Sequence, residues 1–295
     1  MITINSLYHI LSVPRANLFS NWKEILIIFG FILSAHVASE FILPRLFPGL
    51  YFSLRPLPKN GIATSDSDLD AAAARDARNK IVSSAFSAYV SILSLRGLFF
   101  SPPGEAERLE NDTFASTVES THLMRVACAY FVWDVATLFN DFNDDVVVWL
   151  LHGGLCLWVF LTSLTPFLHH MGYVTLIFEI STPFLHLRKY LLQAKLTNTI
   201  LFGYVQSLFG VLFILSRIVF GCYKMYGPNQ WWWKMQSLLA ESVDGNVQGV
   251  SKTTISTSIV YFYQICCVTL TLLNITWANT ILRNRFKLNK TIKAL

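Results

Sequence analysis

The stretch VVVWLLHGGLCLWVFLTSLTPFLHHMGYVTLIFEISTPFLHL, residues 146–187, decides the fold. It contains a single carboxylate, Glu179, and neither Lys nor Arg. At 1.5 Å per residue, half of it is enough to cross about 30 Å of hydrocarbon. Pro166 disfavours helical geometry in the residue before it, so the stretch divides into two spans, 146–164 and 165–187, joined as a tight helical hairpin.

Working outward, five more apolar runs of spanning length appear at 23–43, 80–100, 122–139, 198–222 and 254–281. The run at 80–100, KIVSSAFSAYVSILSLRGLFF, is rich in serine, which suits a helix packed closely against other helices. The reading is an all-α, polytopic membrane protein of about seven transmembrane helices. Residues 1–79 form a first helix and a cytosolic loop, 80–281 the membrane domain, and 282–295 a basic cytosolic tail. The early loop is proline-rich and then acidic and alanine-rich, TSDSDLDAAAARDARN over 64–79, and reads as soluble with room for one short surface helix. WWWK at Trp231 to Lys234 is the kind of aromatic belt that sits at headgroup level.

Composition agrees. Hydrophobic residues make up 53% of the chain and charged residues only 14%, with 23 Phe and 8 Trp, so the outer surface is built for lipid. The net charge of +5 gathers at helix ends and the C-terminus, which excludes a nucleic-acid footprint. The five Cys lack metal-ligand spacing, and four of them, Cys128, Cys156, Cys266 and Cys267, read as small buried hydrophobes. No metal and no cofactor is expected. The N-terminus lacks the pattern of a cleaved signal, so the first run reads as a retained anchor. Lys and Arg crowd the loops at 44–80 and 188–195 and the tail, which orients the N-terminus to the lumen and the C-terminus to the cytosol. The sequon Asn111-Asp112-Thr113 then falls on the lumenal side.

Ionisable groups at bilayer depth cost about 2.5–3.5 kcal/mol on insertion scales, so each needs a partner, a cavity or a function. Helix counting places Asp134, His152 and Glu179 in one slab, roughly 8–12 Å below the cytosolic surface. A carboxylate beside an imidazole can set its tautomer and raise its basicity, for general-base work or for holding a polar headgroup; the alternative is a network that only ties helices together. Ser181 and Thr182 follow Glu179, and Pro183 frees a backbone carbonyl there, asking for a cavity or a neighbouring helix. His152 is expected to approach Glu179 or Asp134 directly or through one water, while Arg188 stands too far from Glu179 for contact. Arg96, Arg125, His169, His170 and Arg217 lie toward the other helix ends, where long cations usually snorkel to headgroups. His169 and His170 point about 100° apart and do not share a metal easily.

KIVSSAFSAYVSILSL, YFVWD, LLHGG, FEISTPFLHLRKYL and ILSRIVFG, in that order, resemble the successive signatures of TLC domain proteins, over roughly 80–281. The segment from Glu179 to Arg188 is similar to an element of the small fungal and animal branch of that family. The family includes ceramide synthases, the translocon-associated TRAM proteins, an endoplasmic-reticulum cargo adaptor linked to lipid storage disease, and members implicated in phospholipid composition. Resemblance implies a six-helix, barrel-like core with the first helix outside it and a cavity open to the cytosol. It also implies residence in the endoplasmic reticulum and a membrane lipid, phospholipid or sphingolipid, as partner, with Asp134, His152, Glu179, Ser181, Thr182 and Arg188 lining the cavity.

Three functions follow from the resemblance. One is lipid binding, sensing or trafficking in lipid homeostasis. A second is acyl transfer from fatty acyl-CoA with His152 as the catalytic candidate. The third is an adaptor for other membrane proteins. Ceramide synthases use a double histidine, whereas this chain reads His152-Gly153 and has no later His-Asp pair, which argues against acyl transfer.

Overall fold

The computed structural model describes residues 4–46, 66–139, 146–243 and 256–293. Among them every regular element is helical. Helix α1 runs Ile4–Leu46, α2 Asp66–Phe99, the short α3 Glu105–Asn111, α4 Val118–Leu138 and α5 Val146–Thr162. Then come α6, His169–Leu176, a 3-10 turn at Ile177–Ser181, and α7, Thr182–Gln193. Helix α8, Ile200–Phe213, passes through a π turn at Ile214–Phe220 into α9, Gly221–Tyr226, followed by α10, Trp231–Val243, and α11, Thr257–Lys293.

The seven apolar runs fall largely on helix, with turn residues at 163–168 between the fourth and the fifth, and residues 254–255 of the last lie outside the described residues. Four segments are long and apolar enough to cross a membrane, Ile10–Ser39, Asn79–Phe99, Ile200–Ala240 and Thr257–Arg283, and Val147–Thr162 adds a shorter apolar helix. The chain is an all-α polytopic membrane protein. Its outward faces carry large apolar side chains such as Phe31, Ile92, Ile200 and Tyr204, as lipid contact requires. Helix α1 buries little of its surface, whereas α4 is buried along most of its length.

Local chemistry sets the boundaries. Thr117 caps α4 by accepting from the Ser120 N–H, while the Ser120 hydroxyl accepts from the Thr117 N–H, so two orphan donors are satisfied reciprocally. The serines of α2 turn inward: Ser87, Ser91 and Ser94 are buried, letting the helix lie close to α6 and the 3-10 turn. Two expectations change. Residues 66–79 form the first turns of α2 rather than a separate surface element, because the alanine-rich sequence continues the helix. The belt at Trp231 is mixed: Trp231 packs with Phe167, Met235 and Tyr263, and only Trp233 is strongly exposed. The remainder of the early loop, 47–65, lies outside the described residues.

Candidate functional site

Pro183, in the first turn of α7, has no N–H to give to the carbonyl of residue 179. The chain tightens to a 3-10 turn, with the Thr182 N–H donating to the Glu179 carbonyl. That change takes the Thr182 N–H away from the Phe178 carbonyl, which accepts instead from Ser181 Oγ at 3.3 Å and from Arg217 Nε at 3.2 Å.

Arg217 sits within the π turn, whose extra residue shifts the helix register by about 100°. Gly221 permits the close crossing: a Cβ there would stand 2.6 Å from the Phe178 ring. Arg217 Nη2 donates to Glu179 Oε1 at 3.1 Å and Nη1 to Asn274 Oδ1 at 3.2 Å. The other Glu179 oxygen accepts from Thr182 Oγ1 at 2.7 Å and from Ser87 Oγ at 3.2 Å. Glu179 and Arg217 thus form a buried ion pair, with every guanidinium nitrogen and both carboxylate oxygens hydrogen-bonded, that joins α2, the 3-10 turn, the π turn and α11.

This overturns the snorkelling expectation for Arg217, which is 7% exposed. Helix counting misplaced it because α7 continues to Gln193 and α8 begins only at Ile200. Glu179 stands 14 residues before the one boundary and Arg217 17 residues after the other, roughly 21 and 25 Å from their shared connection. The two charges therefore meet at one depth.

Beside this pair opens a cavity of about 740 Å³, within the range of small-molecule sites. Asp134, His152, Glu179, Ser181, Thr182 and Arg188 all line it. Their states differ. Glu179 is saturated, Thr182 is bound to it, the Ser181 hydroxyl donates to the Phe178 carbonyl at 3.3 Å, and Arg188 Nε donates to Gln206 Oε1 at 3.4 Å. His152 Nδ1 has no hydrogen-bond partner among the described residues, and the ring makes edge contacts with Trp277 and Phe131 at centroid distances of 5.6 and 6.5 Å. No direct hydrogen bond joins His152 to either carboxylate, since the charge partner of Glu179 is Arg217. The Asp134 carboxylate lies against Gly153, where a Cβ would be 3.1 Å from Oδ2, and it has no ion-pair partner among the described residues.

The other polar groups lie elsewhere. His169 is buried between Ser120 Oγ at 2.7 Å and the Ser163 carbonyl at 2.8 Å, an internal tie. His170 approaches Glu110 at 3.8 Å, and the same carboxylate accepts from Lys224 at 2.7 Å. Burial alone would raise the Glu110 pKa, but the Lys224 hydrogen bond and the neighbouring His170, Lys224 and Lys234 lower it from the ordinary 4.5. Arg125 binds Asn21, and the largely exposed Arg96 stands 3.5 Å from Glu119.

A bundle of membrane helices around a cavity with polar groups on an apolar wall defines the class. The TLC domain model matches residues 76–283, and the chain belongs to the TLC domain family. It is also 26% identical over 125 residues to an uncharacterized TLC domain-containing protein of Schizosaccharomyces pombe, a match covering 41% of this chain and 42% of that protein. The matched stretch spans less than half of that relative.

Proposed function

We propose that the protein binds a membrane lipid in this cavity and serves lipid homeostasis, as a sensor or trafficking protein of the endoplasmic reticulum, with the cavity facing the cytosol. The observation that carries this reading is the unused polar capacity of Asp134 and His152 on a largely apolar wall. A buried polar group without a partner is costly, and a ligand headgroup offsets that cost. Val211, Leu215 and Leu282, exposed apolar residues that also line the cavity, offer apolar surface to acyl chains.

Acyl transfer by His152 finds less support. A general base needs an orienting partner, and His152 Nδ1 has none among the described residues. At position 153, where ceramide synthases would have their second histidine, a Cβ would stand 3.1 Å from Asp134 Oδ2 and 3.2 Å from Val135, so a side chain there requires a neighbour to shift. The test is native mass spectrometry of the purified protein. A retained, intact lipid supports the proposal, an acyl adduct on His152 turns it to the enzyme reading, and a ligand-free cavity in every membrane-mimetic condition overturns both.

A further inference from the structure

Among the described residues, four cations and two carboxylates line the cavity: Lys80, Arg188, Lys189 and Arg217 against Asp134 and Glu179. Arg217 and Glu179 cancel each other in their 3.1 Å ion pair. Three cations then face one carboxylate, so this lining is positive whether or not Asp134 carries its charge.

The three stand at one level, toward the connection from α7 to α8. Arg188 and Lys189 are neighbours in the chain. The Lys80 ammonium meets the next turn of α7, donating to Gln193 Oε1 at 3.2 Å and lying 5.2 Å from the centre of the Tyr190 ring. The two lysines turn inward rather than out to the bilayer surface. Lys189 shares a face of α7 with Thr182 and His186, and Lys80, only 5% exposed, shares a face of α2 with Ser83 and with Ser87, which is bonded to Glu179.

Arg188 has capacity to spare. Its Nε donates to Gln206 Oε1 at 3.4 Å, and neither Nη has a hydrogen-bond partner among the described residues. An amide oxygen orients a guanidinium without cancelling its charge. The fork that remains suits a phosphate, whose oxygens lie in more than one plane and take further donors from other directions, better than a planar carboxylate.

We infer that the mouth of the cavity seats the phosphate of an anionic lipid, held by Arg188 with Lys80 and Lys189 at the same level. Resting on the lipid-binding reading, this names the ligand class as a phospholipid whose headgroup is net negative. Neutral groups of the same ligand, hydroxyl or ester, are left to Asp134 and His152 deeper in the cavity. A hydroxyl meets Asp134 in either protonation state, as donor or as acceptor.

The purified protein in detergent is offered equimolar phosphatidic acid, phosphatidylcholine and diacylglycerol of one acyl composition, with oleate as a carboxylate control, and bound lipid is counted by native mass spectrometry. Phosphatidic acid should exceed diacylglycerol and oleate by about tenfold, the scale of one charge-assisted contact, with phosphatidylcholine between them. Arg188→Gln should bring the ratio of phosphatidic acid to diacylglycerol down to about two while total bound lipid persists. Arg188→Lys keeps the charge and loses the fork, and its ratio should fall between the two. Equal binding of phosphatidic acid and diacylglycerol by the wild type, a phosphate preference unchanged in Arg188→Gln, or oleate binding as well as phosphatidic acid overturns the inference and leaves lipid binding standing. Absence of any bound lipid overturns the lipid reading itself.

A soluble arm separates the source of the phosphate. Glycerol 3-phosphate competing as well as the intact lipid supports the phosphate site and overturns the lipid reading. Should Arg188→Gln fail to fold, wild-type protein loaded with phosphatidic acid is washed in sodium phosphate and in sodium chloride at equal ionic strength, so that screening is the same in both. Selective release by phosphate supports the inference, and equal release in both salts overturns it.

Discussion

Arg217 reaches across from the π turn to Glu179 in the 3-10 turn, so that the two irregular turns of the membrane domain face each other through one 3.1 Å ion pair. The Phe178 carbonyl of the 3-10 turn accepts from the guanidinium that the π turn carries. Phe213 and Phe178 flank the guanidinium at 5.1 and 5.9 Å, completing a low-dielectric setting in which every polar atom must be satisfied.

Removing one partner of such a pair leaves an uncompensated buried charge, at a cost of about 3–5 kcal/mol. Arg217→Met and Glu179→Gln should therefore each lower the yield of monodisperse protein in fluorescence-detected size exclusion. The double substitution should recover part of it, since both charges are then gone. Because both Glu179 oxygens are hydrogen-bonded within the protein, Glu179→Gln should lower abundance before it alters ligand binding. Normal yield and melting temperature for the single variants would show the pair to be dispensable.

His152 is the opposite case. With no hydrogen bond to lose among the described residues, His152→Gln should keep abundance close to wild type. What it should lose is bound lipid, read by mass spectrometry of the purified protein. Loss of yield in step with ligand would give His152 a structural role.

Much of this architecture was legible in the sequence, for reasons of physics. Crossing a bilayer requires long uncharged helices, so runs such as 198–222 announce themselves. Asp134, His152 and Glu179 stood out because charge within such a run is costly. Arg217 stood in the same kind of run, flanked by ILS and IVF, but its depth was misjudged. The helix before it extends past its apolar stretch to Gln193, and apolarity does not mark where a helix ends. The π turn left no legible signal, since no Pro or Gly lies within Ile214–Phe220. The partnering of Glu179 by Ser87, 92 positions away, depends on tertiary packing that periodicity cannot reveal.

Gly153 tests the geometry of Asp134 independently. A methyl group there would lie 3.1 Å from Asp134 Oδ2 and 3.2 Å from Val135, so a neighbour must shift. Gly153→Ala should fold, because the carboxylate can swing into the cavity, but should lower lipid occupancy. Gly153→His overpacks the α4–α5 contact and should cost about 1–3 kcal/mol. A ceramide-synthase-like double histidine is therefore not recovered by this single change. Wild-type melting of Gly153→His would contradict the packing.

Glu110 supplies a pH prediction. Its carboxyl is held below the ordinary 4.5 against the opposing effect of burial, by the Lys224 bond and the surrounding positive groups. The sign for a depressed acid is fixed: the stabilisation is full above the unfolded-state value and is lost as pH falls through the lower folded-state value. Melting temperature should drop between pH 5 and pH 3 more steeply in wild type than in Glu110→Gln, by an amount reflecting about 1 kcal/mol for this partly exposed pair. Parallel curves would mean that the Glu110–Lys224 contact contributes nothing.

The orientation of the cavity completes the set. Arg188, Lys189 and Lys195 cluster about the connection from α7 to α8, while Asn111 and Glu110 lie in the segment joining α2 to α4. Three of the spans read from the sequence lie between the two connections, on α4, on α5 and on α6 continuing into α7, the first two joined through residues outside the described set, and an odd number of crossings puts the connections on opposite sides. Positive residues are retained in the cytosol, so the Arg188 connection should be cytosolic and Asn111 lumenal. Thr197→Cys and Pro103→Cys place exposed thiols at these two positions. In sealed, cytosol-side-out microsomes, a membrane-impermeant maleimide should label Thr197→Cys at once and Pro103→Cys only after permeabilisation. The reverse pattern would turn the Arg188 end of the cavity toward the lumen, and a cytosolic lipid-handling role would fall with it.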